Sequence, residues 1–507
     1  MISIQTTTDL KDRVFKTIER VPRLSELVTV VSINEEPTHQ LHLTVDDQGI
    51  AMALSWESNL PPYLLPPQIP FQSDTLLGVV FGKLGNLEQV QHYLAEFPEL
   101  STECTAYHYF QQNWVLPLDI ALALQAGRTE DDSYRFDHNI ALLMQYGLWP
   151  QSITLDKVQQ RYQQALEAAP NDEYYAFTLK QYTTLLLDTQ QNDVAERLLQ
   201  KHLTSELSDE PAFSLKSVLI RCWMATLGVP YDPERLEMLK NTLWETMSYH
   251  ERQQQEAEVG LLLIDASEIA NISESYSESL GYINRALDIF RRQELPELYG
   301  SSLLRKGVLL YTWAQNGNPQ FYKPAIDTYQ EALKIYRREE APETFAQIHL
   351  HLGVLYAEMA ALQQKKSIWA AVSATSFQEA LRFFTKDEYP YEYGLVCNNY
   401  ANALTKYPTA LRTDNYEKAL EFYEEALSVR TAVYPYERAL TLLNYLEASW
   451  HVDNGEDGFN QQRYDDMVAK AKEVKTLVDA PDLISEAAGH LERLSQLLIT
   501  VKSEDYA

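Results

Sequence analysis

Five alanines recur along the second half of the chain, Ala286, Ala332, Ala380, Ala426 and Ala471, at intervals of 46, 48, 46 and 45 residues. Three residues before each stands an apolar one: Ile283, Tyr329, Phe377, Tyr423 and Val468. Prolines follow ten residues after four of them (Pro296, Pro342, Pro390, Pro481) and nine after Ala426 (Pro435). Eleven residues beyond each of the first four prolines lies another packing position: Gly307, Gly353, Ala401 and Leu446. Within the copy at 415–440, Ala419, Tyr423, Ala426 and Leu427 fall on one stripe of a helix. Pro435 is expected to stop that helix, and a second apolar helical pattern begins at once. A lone helical hairpin cannot bury its stripe, so the copies predict a stack in which each leans on its neighbour. The last helix, 483–501, has no successor, and Glu486, Glu492, Arg493 and Lys502 would give it a wet outer face.

These marks resemble the tetratricopeptide repeat (TPR). Leu352-Gly353 with Tyr356 matches its first helix. Ala325-x3-Tyr329-x2-Ala332 and Ala419-x3-Tyr423-x2-Ala426 match its second. The unit is longer than the family's usual ~34 residues. The excess lies at 405–415, at 316–320 and in extended helices, which is similar to the long-repeat arrays of kinesin light chain and of bacterial CHAT-associated proteins. The resemblance implies a mainly α, right-handed TPR-like α-solenoid that binds proteins or peptides on its concave wall.

Before the array the pattern changes. Residues 8–20 read as an amphipathic helix. Leu41, Leu43 and Val45, then Ile50, Met52, Leu54 and Trp56, alternate at period two around Asp46-Asp47-Gln48-Gly49, a β-hairpin signal. The stretch 27–33 could add a third strand. Residues 1–60 are therefore expected to form a small α/β domain, a helix plus β-hairpin. PPYLLPPQIP opens an expected Pro-rich linker at 61–73. Residues 74–249 read as degenerate helical repeats, TPR-like or ankyrin-like, and 250–507 as the array with its capping helix. In the degenerate region, Gly85-Asn86 marks a tight helical hairpin, 117–125 and 137–147 a second, and 155–203 a further helix pair.

A formal net charge of -30 argues against nucleic acid, which needs a basic footprint, and against an anionic membrane surface. It favours basic partners only weakly, and a solvated exterior is the preferred explanation of it. Three distant cysteines, Cys104, Cys222 and Cys397, show no disulfide framework or zinc spacing. With neither a leader nor a membrane span read in the sequence, a cytoplasmic setting is expected.

Catalytic grammar is not read. Gly78-x3-Gly82-Lys83 has the wrong loop length for a phosphate loop. His349 and His351 point apart on a helix, and Cys397 lies inside one. No metal, cofactor or enzymatic activity is expected.

In the TPR pattern the first helix lines the inner wall. The resemblance then places Leu304, Val308 and Tyr311, Leu350, Val354 and Ala357, Asn398, Asn402 and Thr405, and Leu443, Glu447 and Trp450 on that face, with Glu358 and Lys406 beside them. Asn398 and Asn402 are one helical turn apart, and their amides could grip a partner's backbone or satisfy neighbouring helices. Lys406 could pair with a carboxylate, and Trp450 with Tyr311 could anchor an interface. The candidate partner-binding set is Tyr311, Glu358, Asn398, Asn402, Lys406, Glu447 and Trp450. The expected function is a non-enzymatic scaffold or adaptor holding a partner protein or peptide in the groove. The alternative is a regulatory or sensor subunit of a separately encoded peptidase or NTPase.

Overall fold

The computed structural model describes residues 1–504 except 36–38, 40, 204–206, 229–230, 363–364, 409–413 and 453–458, with backbone only at 362 and 500–504. The chain divides into two compact units, Met1–Ile269 and Ala270–Ala507.

The first unit opens with strands β1 (Ile2–Thr6), β2 (Val28–Ser32), β3 (His42–Asp46), β4 (Gly49–Ala51) and β5 (Gln68–Ile69), ordered β2-β1-β3-β4-β5. β1 is parallel to both neighbours, and β3, β4 and β5 run antiparallel in turn. Helix α1 (Thr8–Glu19) follows β1. The expected helix, hairpin and third strand are present, and two further strands, β1 and β5, extend them to a five-stranded sheet. Burial along β1 does not follow the alternation of its sequence: Ser3 and Thr6 are buried with Ile2 and Ile4, so both its faces are covered. The Thr6 hydroxyl donates to the Val45 carbonyl at 2.9 Å, and Ser3 Oγ accepts from the His39 amide at 2.9 Å. At the hairpin, Asp46 Oδ1 accepts from the Gln48 and Gly49 amides. Gly49 has φ +138°, and a Cβ there would stand 2.3 Å from the Ile69 carbonyl oxygen, so β5 can only pair against glycine.

Helices follow: α2 (Ser73–Lys83), α3 (Leu87–Tyr93), α4 (Pro98–Gln111), α5 (Leu118–Ala126), α6 (Ser133–Gln145), α7 (Leu155–Glu167), α8 (Asp172–Asp188), α9 (Asn192–His202), α10 (Asp209–Ala225), α11 (Pro233–Arg252) and α12 (Glu256–Ile272). The turn at Gly85-Asn86 joins α2 to α3, with Asn86 accepting from the Gln89 amide. Two expectations change. α5 packs on α4 while α6 packs on α7, so 117–147 is not one hairpin. Residues 155–203 hold three helices, not two.

The expected linker at 61–73 is not a linker. Tyr63, Leu65 and Ile69 are buried in the same core as the sheet and α2–α6. The proline-rich strap lacks a helix or a long ladder to satisfy its backbone, and α6 supplies the partners. Asn139 Oδ1 accepts from the Leu64 amide at 2.8 Å, and its Nδ2 donates to the Leu64 carbonyl at 2.7 Å. His138 Nε2 lies 3.1 Å from the Pro62 carbonyl, which can only accept, so Nε2 carries the proton.

Burial pushes the His138 imidazole down to about 4 from an ordinary 6.5. The unfolded chain takes up a proton near 6.5 and the folded chain only near 4, so stability present at neutral pH is lost as pH falls through that window. Burial and the charges of Glu258 and Glu210 push Glu57 the other way, up to about 7, and its contribution grows as pH falls. Wild type and His138→Gln share Glu57. Their difference in unfolding free energy should therefore narrow by about 3 kcal/mol between neutral pH and pH 4. A pH-independent difference in denaturant titrations would remove His138 as the cause.

The second unit contains the expected hairpins: α13 (Tyr276–Arg292), α14 (Pro296–Gln315), α15 (Tyr322–Ala332), α16 (Pro342–Leu362), α17 (Lys366–Phe383), α18 (Pro390–Lys406), α19 (Asn415–Val429), α20 (Pro435–Ser449), α21 (Gln461–Leu477) and α22 (Pro481–Glu504). The repeated prolines do not stop the second helices. They open the first helices, at the position where the missing N–H is an orphan anyway and φ is already helical. Of the long connections, 316–320 runs into a short 3₁₀ turn at Pro319–Phe321, and 409–413 lies outside the described residues. On α22, Glu486, Glu492 and Arg493 are exposed as a terminal helix needs, and the Lys502 side chain lies outside the described residues.

Candidate functional site

The small positions of the first helices are seats for aromatic rings. A Cβ on Gly307 would lie 2.6 Å from the Tyr329 ring, and one on Gly353 3.0 Å from Phe377. Ala401 shares a buried cluster with Tyr423. The seat and the ring fix how each hairpin closes. First helices also touch in succession, α16 on α18 and α18 on α20, which places their matching positions in one row.

Along that row the candidate residues are partly committed to one another. Lys406 of α18 pairs with Glu358 of α16. Tyr311 of α14 accepts from Gln315 Nε2 at 2.6 Å, and burial together with the Glu358 charge raises its hydroxyl pKa. Asn402 is half-buried, and its Oδ1 accepts from the Tyr423 hydroxyl at 2.6 Å. Asn398 is 8% exposed, and its Oδ1 has no hydrogen-bond partner among the described residues. Val308 is 41% exposed, Val354 half-buried, and Leu350 and Ala357 buried.

The helical pair and its seats are TPR-like.

No family model matches the sequence, and no curated protein matches it. Among solved structures, the human IFIT1 dimer with m7Gppp-AAAA is similar at 12% identity, over 84% of this chain and 90% of that one, with a TM-score of 0.42. A signal-transduction ATPase with a tetratricopeptide repeat sensor from Pyrococcus horikoshii is similar at 12% identity, over 98% and 77%, with a TM-score of 0.41. Yeast Tom70 is similar at 11% identity, over 85% and 89%, with a TM-score of 0.36. At these scores they stand as similarities alone, and the likeness to kinesin light chain rests on the sequence.

At the C-terminal end of the row the candidate residues meet the last helix. Trp450 Nε1 donates to His490 Nδ1 at 3.0 Å, and Arg493 lies 4.4 Å over the indole ring. Both the polar edge and a face of this half-buried tryptophan are thus used by α22. Glu447 is exposed, with Arg493 at 3.4 Å and His451 at 3.5 Å.

All three cysteines are buried and free. Burial pushes Cys104 and Cys397 up to about 12 and Cys222 to about 11, the opposite of an activated nucleophile. His351 stacks on the Tyr329 ring at 5.2 Å and His349 lies against Phe345, so both serve packing. Gly78 and Gly82 sit inside α2 with no phosphate loop between them, and a Cβ on Gly78 would lie 2.4 Å from the Leu94 side chain. One feature of the same motif escaped the sequence: Lys83, at the end of α2, lines a cavity in the first unit.

Proposed function

We propose that this chain is a scaffold or adaptor that holds a partner protein or peptide along the first-helix row of its second unit, acting by binding and not by catalysis. The observation that carries this is the Asn402 amide. Tyr423 donates to its oxygen and so fixes which way the amide points. Among the described residues nothing accepts from the remaining Nδ2, which leaves it as a donor for a partner's backbone carbonyl. Val308 and Val354 offer apolar contact on neighbouring first helices. A net charge of -30 favours a partner carrying basic residues. The proposed setting is the cytoplasm, where three unpaired thiols remain reduced.

Affinity capture from the native cell, read by mass spectrometry, tests the row. Partners held by wild type should fall by about tenfold with Asn402→Ala and further with Val308→Asp added, since losing a positioned hydrogen bond and an apolar contact costs about 1–2 kcal/mol. Equal capture by all three proteins would reject this face.

A further inference from the structure

The first unit encloses a cavity of about 390 Å³ between the Met52–Pro67 strap, the end of α2, the start of α6 and the α7–α8 turn. That volume lies within the range of small-ligand sites. Its wall is mixed. Leu54, Leu65 and Phe177 supply apolar surface. The polar groups beside them are mostly committed. The Tyr63 hydroxyl donates to Glu103 at 3.2 Å, and the Tyr134 hydroxyl donates to the Tyr174 carbonyl at 2.7 Å. Arg135 is paired with Glu103 at 2.8 Å and with Asp132.

Lys83 differs. Among the described residues its ammonium has neither an ion pair nor a hydrogen bond, and the Tyr107 ring centroid lies 5.5 Å away. The nearby Cys104 thiol, pushed up to about 12, stays neutral and provides no counter-charge. Burial holds Lys83 down to about 8, so the group is still mostly charged at neutral pH. A cation facing a partly apolar cavity without a counter-ion is costly, and an anionic ligand would relieve that cost.

We propose that this cavity binds a small organic monocarboxylate, its carboxylate on Lys83 and its apolar or aromatic body against Leu54, Leu65 and Phe177. A single uncommitted cation suits one negative charge. Glu130 and Asp131, exposed at the rim, oppose a phosphate dianion. The volume admits roughly a dozen non-hydrogen atoms. The site lies in the first unit and does not depend on partner binding by the second.

Isothermal titration calorimetry on the full chain tests this with 3-phenylpropanoate and its neutral counterpart, 3-phenylpropanamide. The carboxylate should bind with a Kd of about 1 mM or tighter and at least about tenfold more tightly than the amide, the worth of one charge-assisted hydrogen bond. Lys83→Met should remove that preference while leaving amide binding unchanged. Ala53→Trp, which fills the cavity from an exposed wall position, should abolish both. No binding of the carboxylate, equal binding of carboxylate and amide by wild type, or a preference that survives Lys83→Met would each overturn the assignment. The wild-type comparison needs no variant, so a misfolded Lys83→Met protein leaves it decisive.

Discussion

Replacing Phe377 with alanine should destabilise the second unit by about 4 kcal/mol, the usual cost of emptying a buried phenylalanine site. The ring is fully buried on α17. It sits against the bare backbone of Gly353 on α16, where any Cβ would lie 3.0 Å away, and stacks on Tyr400 of α18 at 4.9 Å. One side chain thus joins a first helix, its own second helix and the next first helix. Removing it opens a void that rigid helices cannot close, and in a stacked repeat the loss spreads to nearest neighbours. Denaturant unfolding should show the shift, and amide hydrogen exchange should quicken in α16–α18 before it does in the first unit. A loss below about 1 kcal/mol would mean the seat is not what closes the hairpin. The converse variant, Gly353→Val, drives a side chain into the ring and should cost about 2 kcal/mol by overpacking.

Asn139→Leu should cost the first unit about 3 kcal/mol, although it adds apolar surface to a buried site. The strap at 61–70 is held by Asn139 through both polar groups of Leu64, at 2.8 and 2.7 Å. Leucine fits the volume but leaves an amide N–H and a carbonyl unpaired in the core, each costing about 1–3 kcal/mol. The strap should then release, with Tyr63 and Leu65 losing their cover. Limited proteolysis should cut within 61–70 faster in the variant, and the unfolding midpoint should fall. Protection equal to wild type would show that apolar packing alone holds the segment.

Much of the second unit was legible because its signals are local. The seats at Gly307 and Gly353 and the rings at Tyr329 and Phe377 each lie at a fixed spacing on one helical face. The prolines marked the right boundaries, yet they belong to the helices that follow, since proline at the first helical turn and proline after a helix leave the same mark. Asn402 and Lys406 were found on the expected helix. Their internal partners, Tyr423 and Glu358, come from other helices and left no mark in the local pattern. The partners of Trp450 were hidden for the same reason, because His490 and Arg493 stand forty or more residues away.

The first unit was less legible. Burial on both faces of β1 leaves no mark in its short sequence, where Ile2 and Ile4 alternate with Ser3 and Gln5, and the proline strap reads as a linker although Tyr63, Leu65 and Ile69 complete the core.

Amino-acid order alone settled the repeat period, the helical content of the hairpins and the small residues that rings rest on, because these depend on neighbours within a turn or two. Folding decided which polar groups are consumed and which are left over: Asn139 on the strap, Trp450 under the last helix, Lys83 lining a cavity with no carboxylate paired to it among the described residues. Those outcomes depend on contacts between distant segments, and a side chain's pairing is fixed only when the segments that could satisfy it have been brought to it or kept away.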